Sequence, residues 1–327
     1  MSIKLLNMEQ VGSLIDMDEV IEVTKRVLIE KAREETQMPP KVYVFFAAYK
    51  GDFRVMPAYI PMEEAAGVKI VNVHPDNPKH NLPTVMATIV LLDPKTGESI
   101  SIMDGTLLTS IRTGAAGAVA AEHLARKDVR KVAFIGGGTQ AKQQLLGLLS
   151  VYGNRFSAKV YDPSSEAIKR LIGLAKEKGV DLSEESNVRS CIRDADIIVT
   201  TTPSTKPVVE DGWVQEGVHI NAMGADAPGK EELDPKLLKR SRIFVDDIEQ
   251  ATHSGEINVP ISKGLMDRHD IAGELGEVLD GRVKGRQSDK DITVFDSTGL
   301  AIQEIAVAHL VYESAVKKGV GSLINLI

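Results

Sequence analysis

The chain has 327 residues, of which 43% are hydrophobic and 26% charged, the composition of an ordinary globular protein with room for two domains. Its formal net charge of −7 argues against a nucleic-acid partner, because neutralising phosphates requires clustered lysine and arginine. The single cysteine, Cys191, excludes an internal disulfide, and the seven histidines show no metal-binding spacing, so no metal site is expected.

The distribution of apolar residues gives no sign of membrane association. No apolar run reaches the roughly 18 residues that a membrane-spanning helix needs, and the longest, from Val85 to Leu92, has the length of a strand. The first residues, MSIKLLNMEQ, lack a basic stretch followed by a long apolar core, so no secretory signal is predicted. We therefore expect a cytoplasmic protein with no membrane partner.

The first part of the chain combines one helix with a block of strands. Apolar residues at helical spacing predict a helix from Met17 to Glu35. Runs rich in β-branched and aromatic residues then predict strands at 41–49, 52–59, 67–74 and 84–92, and the turn DPKTGE leads into a further strand, SISIMDG. Strands grouped in this way are typical of an α+β region.

The pattern changes after Asp104. The segment TLLTSIRTGAAGAVAAEHLAR predicts a helix so rich in alanine and glycine that another element must pack closely against it. Strand-like runs then alternate with helical stretches, and runs of valine and isoleucine without polar alternation are typical of a parallel sheet covered on both faces. These strand-like runs lie at 131–136, 158–162, 195–201, 218–224, 242–247 and 292–298.

Two domains are expected from this organisation. Residues 113–299 are expected to form a Rossmann domain, which is a doubly wound parallel sheet with helices on both faces. The amphipathic helix in the last segment, GLAIQEIAVAHLVYESAVKKG, is expected to stop at Gly319 and to complete a first domain of residues 1–112 with 300–327. The fold class is therefore α/β with an additional α+β domain.

The stretch VAFIGGGTQA has the arrangement of a dinucleotide-binding turn. An apolar strand runs into Gly136 and Gly138, and Ala141 takes the third small position, where a helix and a strand approach each other. The amides at the start of the following helix favour a pyrophosphate, and Thr139 and Gln140 can add side-chain donors.

An acidic residue stands where a dinucleotide's ribose would need it. The second strand of this domain ends at Asp162, the position from which a carboxylate accepts a hydrogen bond from the ribose 2′-hydroxyl, although a turn residue before a proline is the structural alternative. A carboxylate would repel a 2′-phosphate, and the following residues, PSSEA, bring no arginine or lysine. The sequence therefore predicts NAD, and not NADP, as the cofactor.

Three further segments each carry a charged residue that can bind a small molecule or transfer a proton. Arg54 can hold a carboxylate with two hydrogen bonds, unless it is a solvated surface arginine. Lys69 lies on an apolar strand, where an unpaired ammonium is costly, so it is either paired within the protein or in contact with substrate; burial would lower its pKa. Asp226 lies just beyond the carboxyl end of a strand, where doubly wound folds bind ligands, or else is a turn residue.

These segments resemble the ornithine cyclodeaminase/μ-crystallin family over essentially the whole chain and in the family's order. They are FRVMPAY with GVKIVNVHPDNPKHNLPTVMA, then DGTLLTSIRTGAAGAVAAEHLA, FIGGGTQA and INAMGADAPGKEELD. The resemblance is closest to the archaeal-type alanine dehydrogenase branch. It implies a Rossmann domain beside a substrate-binding domain that forms a homodimer, and an NAD-dependent oxidoreductase acting on a small amino acid or 2-oxo acid.

The resemblance also implies roles for individual residues. Lys69 corresponds to the family's active-site lysine, and Asp226 to the aspartate that activates water at the imine carbon. Arg112 corresponds to an arginine that meets both dinucleotide and substrate, so Arg54, Lys69 and Arg112 are expected to bind the substrate. The remaining expected cofactor contacts, unremarkable without the resemblance, are Thr84, Thr202, Met223, Gly224, Lys230 and Ser297.

The expected reaction is the reversible oxidative deamination of L-alanine through an imine. The alternative is an ornithine cyclodeaminase, in which the substrate's δ-amine attacks the imine and a carboxylate must hold that amine. Glu63 and Glu64 are the only acidic residues between Arg54 and Lys69, in a segment shorter than the cyclodeaminases of the family have. A cyclic ketimine reductase and a non-catalytic dinucleotide-binding protein are further alternatives.

Overall fold

The computed structural model describes residues 2–325, which fall into two compact units, 2–112 with 300–325 and 113–299. The elements up to the helix rich in alanine and glycine are β1 (Ser2–Leu6), α1 (Met8–Leu14), α2 (Met17–Ala32), β2 (Val42–Phe46), β3 (Gly51–Ile60), β4 (Ala65–Val73), β5 (Val85–Leu92), β6 (Ser99–Asp104) and α3 (Thr106–Leu124).

The elements that follow α3 mostly alternate between strand and helix. They are β7 (Lys131–Ile135), α4 (Thr139–Tyr152), β8 (Ser157–Tyr161), α5 (Ser165–Glu177), β9 (Leu182–Glu184), α6 (Val188–Ile192), β10 (Ile197–Thr200), β11 (Thr205–Val209), β12 (His219–Ala222), β13 (Glu231–Leu233), α7 (Pro235–Lys239), β14 (Arg242–Val245), α8 (Ile248–Ser254), α9 (Asn258–Ser262), β15 (Ile271–Glu274), α10 (Leu275–Leu279) and β16 (Thr293–Asp296). The last two elements are α11 (Ala301–Lys318) and β17 (Ser322–Asn325).

The first unit is built on a seven-stranded mixed sheet in the order β17-β1-β6-β5-β4-β3-β2. Strand β1 runs parallel to β6, and the other neighbouring strands are antiparallel. Helix α11 packs on β3, β4 and β5 and against α2, so helices cover one face of the sheet. Burial alternates along β3 and β4 because successive side chains point to opposite faces, and Arg54 and Lys69 both point to the covered face.

Helix α11 supplies much of the buried surface of this unit. It ends at Gly319, as the sequence predicts, and its buried positions are mostly alanine, isoleucine and valine. Two polar residues, Gln303 and Glu304, are buried among them. No helix in the described part of the chain has the length and apolar character that crossing a bilayer requires.

The second unit is built on an eight-stranded sheet, entirely parallel, in the order β15-β14-β16-β12-β10-β7-β8-β9. Strands β7, β8 and β9 proceed outward on one side, and the chain then crosses back so that β10 and β12 lie on the other side of β7. This reversal confirms the predicted doubly wound Rossmann topology, in which ligands bind outside the carboxyl ends of the strands at the point of reversal.

The apolar strand sequences of the second unit are explained by two hydrophobic cores. Along β7, Val132 and Phe134 belong to one core, with residues of α4 and α5, whereas Ala133 and Ile135 belong to the other. Both faces of the sheet are therefore covered, which is why the strands read as continuous apolar runs.

Glycine allows close packing between α3 and α4. A Cβ atom on Gly114 would lie 2.4 Å from the carbonyl oxygen of Gln143, and one on Gly147 would lie 2.5 Å from the carbonyl oxygen of Gly114. Contacts this short are sterically impossible, so the helix backbones can approach only because these side chains are missing. The close packing predicted from the alanine and glycine content of α3 is confirmed.

Candidate active site

Three charged side chains meet on the covered face of the first unit's sheet: Lys69 of β4, Arg112 of α3 and Glu304 of α11. The Glu304 carboxylate accepts hydrogen bonds from Lys69 Nζ and, at 2.8 Å, from Arg112 Nε. The Thr109 hydroxyl lies 3.2 Å from Glu304 Oε2 and 3.3 Å from Lys69 Nζ. Since the side chains of Lys69 and Glu304 are 2% and 0% exposed, this is a buried, hydrogen-bonded ion pair, and Glu304 and Thr109 accept from two of the three N–H groups of the Lys69 ammonium, so the pairing does not decide against a contact with substrate.

The protonation states of this cluster follow from burial and from its charges. Burial lowers the pKa of Lys69 to about 8; Glu304 opposes this shift, whereas Arg112 and Arg54 add to it. Burial alone would raise the pKa of Glu304, but Arg112 and Lys69 together hold it below its ordinary value. Glu304 is therefore ionised at neutral pH, and Lys69 exchanges its proton in the range that general acid–base catalysis uses.

Arg54 lies on β3, on the same face of the sheet as Lys69. Its guanidinium donates to both carboxylate oxygens of Asp52, with Nε at 3.0 Å and Nη2 at 3.4 Å, and lies 5.3 Å from the centre of the Tyr43 ring. The side chain is buried, so Arg54 is not a solvated surface arginine. Asp52 and Tyr43 thus fix the orientation of the guanidinium, whose Nε–Nη2 edge is hydrogen-bonded to the Asp52 carboxylate.

In the second unit, the glycine turn leaves the start of α4 accessible. Gly136 follows β7 with φ of +98°, and a Cβ atom there would lie 2.8 Å from Thr201 Oγ1, so both conformation and space require glycine. Gly138 precedes α4 without a capping side chain, and a Cβ atom on it would have no neighbour within 4 Å. Ala141 is fully buried. The turn thus offers open space beside helix amides, which fits a pyrophosphate.

The Asp162 side chain is hydrogen-bonded to this glycine turn. Its carboxylate accepts hydrogen bonds of 2.7 Å from the backbone N–H groups of both Gly137 and Ser164. An ionised carboxylate has about four acceptor positions, so these bonds leave capacity for a ribose hydroxyl. In the first turn of α4, Thr139 is exposed and Gln140 is half-buried.

A buried carboxylate that the sequence analysis missed connects two neighbouring loops. Glu232, on β13, accepts hydrogen bonds from the Thr200 hydroxyl at 2.7 Å, from Thr202 N at 2.6 Å and from Gly224 N at 2.9 Å. Its own backbone N–H donates to Glu256, which is also fully buried. The segments that follow β10 and β12, both with expected cofactor contacts, are therefore held in one arrangement by Glu232.

Asp226 and Lys230, which the sequence singled out separately, form an ion pair. Lys230 Nζ donates to Asp226 Oδ1 at 2.5 Å. The Asp226 side chain is 41% exposed, so its carboxylate is accessible to solvent and to small molecules.

The remaining predicted residues lie in two places. Met223 and Ser297 are buried just after β12 and β16, and the Ser297 hydroxyl donates to Asp246 at 3.4 Å. Thr84 belongs to the first unit, immediately before β5, where its carbonyl accepts a hydrogen bond from His74 N.

The predicted residues of the second unit share one edge of its sheet. The glycine turn follows β7, Asp162 follows β8, Thr202 follows β10, the segment with Asp226 follows β12, and Ser297 follows β16. Because these strands are parallel, all of these residues stand at the carboxyl edge, where doubly wound sheets bind dinucleotides. Within residues 2–325, no group of three or more histidine, cysteine, aspartate or glutamate side chains is arranged to hold a metal ion.

The chain is similar in sequence and structure to known proteins over almost its whole length. The model of the ornithine cyclodeaminase/mu-crystallin family matches residues 2–319. An alanine dehydrogenase of Archaeoglobus fulgidus is 49% identical over 321 residues, 98% of each chain. An archaeal alanine dehydrogenase dimer with bound NAD has a TM-score of 0.96 at 48% identity and covers 100% of both chains.

A solved relative with a different activity is also similar. The Thermococcus litoralis Delta(1)-pyrroline-2-carboxylate reductase in complex with NADH and L-proline has a TM-score of 0.94 at 36% identity, covering 98% of this chain and 99% of its own. The fold is thus shared by enzymes that act on different small substrates. From the match over residues 2–319 and the 49% identity to a full-length relative, the chain belongs to the ornithine cyclodeaminase/mu-crystallin family.

Proposed function

We propose that this protein is an NAD-dependent alanine dehydrogenase. The reaction is L-alanine + NAD⁺ + H₂O → pyruvate + NH₄⁺ + NADH + H⁺, which runs in reverse as the reductive amination of pyruvate. The observation that carries the proposal is the buried cluster of Lys69, Arg112 and Glu304, with Arg54 on the same face. The 49% identity to an alanine dehydrogenase favours L-alanine among small amino acids.

NAD is the cofactor. Backbone N–H groups at the start of α4 would bind its pyrophosphate next to Gly138, and Asp162 would bind a ribose whose 2′-hydroxyl is not phosphorylated. Solved relatives hold NAD or NADH, which supports this assignment. When bound, the dinucleotide would supply the acceptor for the hydride that leaves the substrate Cα.

The side chains of this chain then have separate roles. Arg54 and Arg112 bind the substrate carboxylate, each through a planar guanidinium. Lys69, with a pKa of about 8, gives or takes a proton at the substrate nitrogen. Asp226 takes a proton from the water molecule that attacks the imine carbon, after which ammonia leaves.

The structure disfavours the cyclodeaminase alternative. Glu63 and Glu64 lie in the turn between β3 and β4, where Glu63 pairs with Arg26 at 2.7 Å and Glu64 pairs with Lys95 at 3.0 Å. At about 3.3 Å per residue, Glu64 lies roughly 16 Å along the strand from Lys69. Neither carboxylate is placed to hold the δ-amine of an ornithine bound at Lys69.

A cyclic imine reductase is the second candidate, favoured by the 36% identity to a Delta(1)-pyrroline-2-carboxylate reductase. The test is to incubate the purified protein and NAD with L-alanine, L-ornithine or L-proline, and to measure NADH, ammonia and proline. We expect NADH to form with L-alanine at least about tenfold faster than with L-proline, a difference of about 1.4 kcal/mol in transition-state binding.

The other outcomes of this assay would each contradict the proposed dehydrogenase. Ammonia and proline formed from L-ornithine without net NADH would show a cyclodeaminase. NADH formed mainly with L-proline would show the cyclic imine reductase working in reverse. Binding of NADH without turnover of any of the three substrates would contradict the dehydrogenase.

We further infer that the protein is a homodimer, joined through the face of the first unit's sheet that α11 does not cover. This outer face carries Val42, Val44, Val55, Val68 and Ile70, of which Val42 is 57% and Ile70 is 42% exposed. Apolar patches of this kind on globular proteins mark interaction sites. A relative of 48% identity is a dimer, which makes a second copy of this chain the expected partner.

Light scattering should therefore give twice the chain mass of 35.4 kDa at micromolar concentration. The variant Ile70→Glu should give the monomer mass, because a carboxylate at the centre of the outer face would be buried without a partner. Met62→Glu, on an exposed apolar residue in the turn between β3 and β4, is the control and should remain a dimer. A monomeric wild-type protein would contradict the inference.

A further inference from the structure

Glu304 is the one member of the buried cluster for which the proposed reaction gives no role. It lies in the first turn of α11, and its side chain is fully buried. It receives hydrogen bonds from Lys69 and Arg112 on Oε1 and from Thr109 on Oε2, so β4, α3 and α11 all meet at this carboxylate.

Stability alone does not account for a carboxylate in this position. Removing an ion from water is costly, and a buried ion pair is often no more stabilising than apolar side chains of the same volume. The rest of α11's buried surface is mostly apolar and would accommodate such a residue. We therefore expect Glu304 to contribute to the chemistry of the site.

Glu304 lies between two cations, Lys69 and Arg112, that are close to each other. Lys69 and Arg112 donate to the same oxygen of Glu304, and Arg54 lies on the neighbouring strand. Positive charges at such distances repel each other strongly in a buried environment. The Glu304 carboxylate compensates this repulsion and fixes the directions of both donors.

The groups that face Lys69 act on its protonation in opposite directions. Arg112 and Thr109 face it from α3, Arg54 faces it from β3 and Glu304 faces it from α11. Burial and the two arginines favour the neutral amine, whereas Glu304 favours the ammonium ion.

We propose that Glu304 is a positioning residue for the dehydrogenase reaction, which keeps Lys69 protonated near neutral pH and orients Lys69 and Arg112 toward the substrate. The inference rests on the proposed function, since it assigns Glu304 to the same site. Glu304 itself does not touch the substrate and acts through Lys69 and Arg112.

The test compares Glu304→Gln with the wild type in the pH dependence of kcat/KM for L-alanine. The ionisation of Lys69, identified by its loss in Lys69→Met, should move from about pH 8 to lower pH by about one to three units, because glutamine keeps the shape and removes the charge. NADH affinity, measured by fluorescence, should change less than about twofold. Glu313→Gln makes the same chemical change at an exposed site on α11 and should leave the profile unchanged.

Thermal unfolding as a function of pH gives a second readout that needs no turnover. Lys69 has a folded pKa of about 8, below its ordinary 10.5, so the unfolded chain binds the extra proton between these values and stability rises with pH across this window. In Glu304→Gln the rise should begin at lower pH. If Glu304→Gln does not fold, Glu304→Asp, whose carboxylate lies farther from Lys69, should shift both curves in the same direction by less.

The outcomes separate this inference from the proposed function. Unchanged curves for activity and unfolding in Glu304→Gln would overturn the role of Glu304. A wild type without dehydrogenase activity, together with the expected shift in unfolding, would overturn the dehydrogenase while retaining the effect of Glu304 on Lys69.

Discussion

Replacing Lys69 by methionine should lower kcat/KM for L-alanine by about 10³-fold at neutral pH, the middle of the range of about 10²- to 10⁴-fold that a general acid–base group contributes. Methionine has a similar length and leaves Glu304 paired with Arg112, so the buried carboxylate keeps a cationic partner. The loss should therefore reflect the missing ammonium and not a collapsed site.

Steady-state kinetics with saturating NAD, together with NADH fluorescence, would test this prediction. The affinity for NADH should stay within about threefold of the wild type, a change below about 0.7 kcal/mol, because the residues that we assign to pyrophosphate and ribose belong to the second unit. Lys95→Met removes an exposed lysine that pairs with Glu64, and this control should keep normal activity. A Lys69→Met enzyme with near-normal kcat would remove Lys69 from the mechanism.

The second unit could be predicted from sequence because its strands are covered on both faces. Continuous apolar runs separated by helical stretches leave few arrangements other than a parallel sheet. The position of β16 within the sheet could not be predicted in this way. It is the last strand of the unit in sequence, yet it lies between β12 and β14. Its sequence resembles that of its neighbours, so the pairing depends on long-range packing that no local pattern records.

Short strands at the edge of the first unit were missed for a related reason. Strand β17 has four residues and lies at the edge, where it pairs only with β1; β1 has five residues and pairs with β17 and with β6, so both strands depend on partners far away in the sequence. Helix α1 between β1 and α2 has only seven residues, too few for a clear helical period. The predicted helix from Met17 to Glu35 was found, although it ends at Ala32.

Sequence reasoning found the cations of the candidate site but missed two buried carboxylates, Glu304 and Glu232. Lys69 and Glu304 are 235 residues apart, and a glutamate in an amphipathic helix is usually solvated. A signal was nevertheless present, because Glu304 lies three residues after Ala301 and four before Ala308, on the buried stripe of α11. A charge on an apolar stripe indicates a buried partner. Glu232 gave a weaker signal, since β13 has only three residues.

Replacing Asp226 by asparagine should separate the two chemical steps of the proposed reaction. Asparagine has the same shape but accepts a proton poorly, so attack of water on the imine should slow by about 10²- to 10⁴-fold. Hydride transfer does not depend on that proton and should continue. The loss of the Lys230 ion pair should cost little stability, because both side chains are partly exposed.

Rapid mixing of this variant with NAD and L-alanine should therefore give a burst of up to about one NADH per site, followed by slow turnover, as expected when the step after hydride transfer limits the rate. The exposed Asp128, changed to asparagine, is the matched control and should turn over normally. If the burst were lost together with turnover, Asp226 would be needed at or before hydride transfer. That result would contradict our assignment of Asp226 to the later attack of water. Near-normal turnover would mean that Asp226 does not take the proton from water, because an amide cannot replace a carboxylate in that step without a loss of rate. Its ion pair with Lys230 would then be structural.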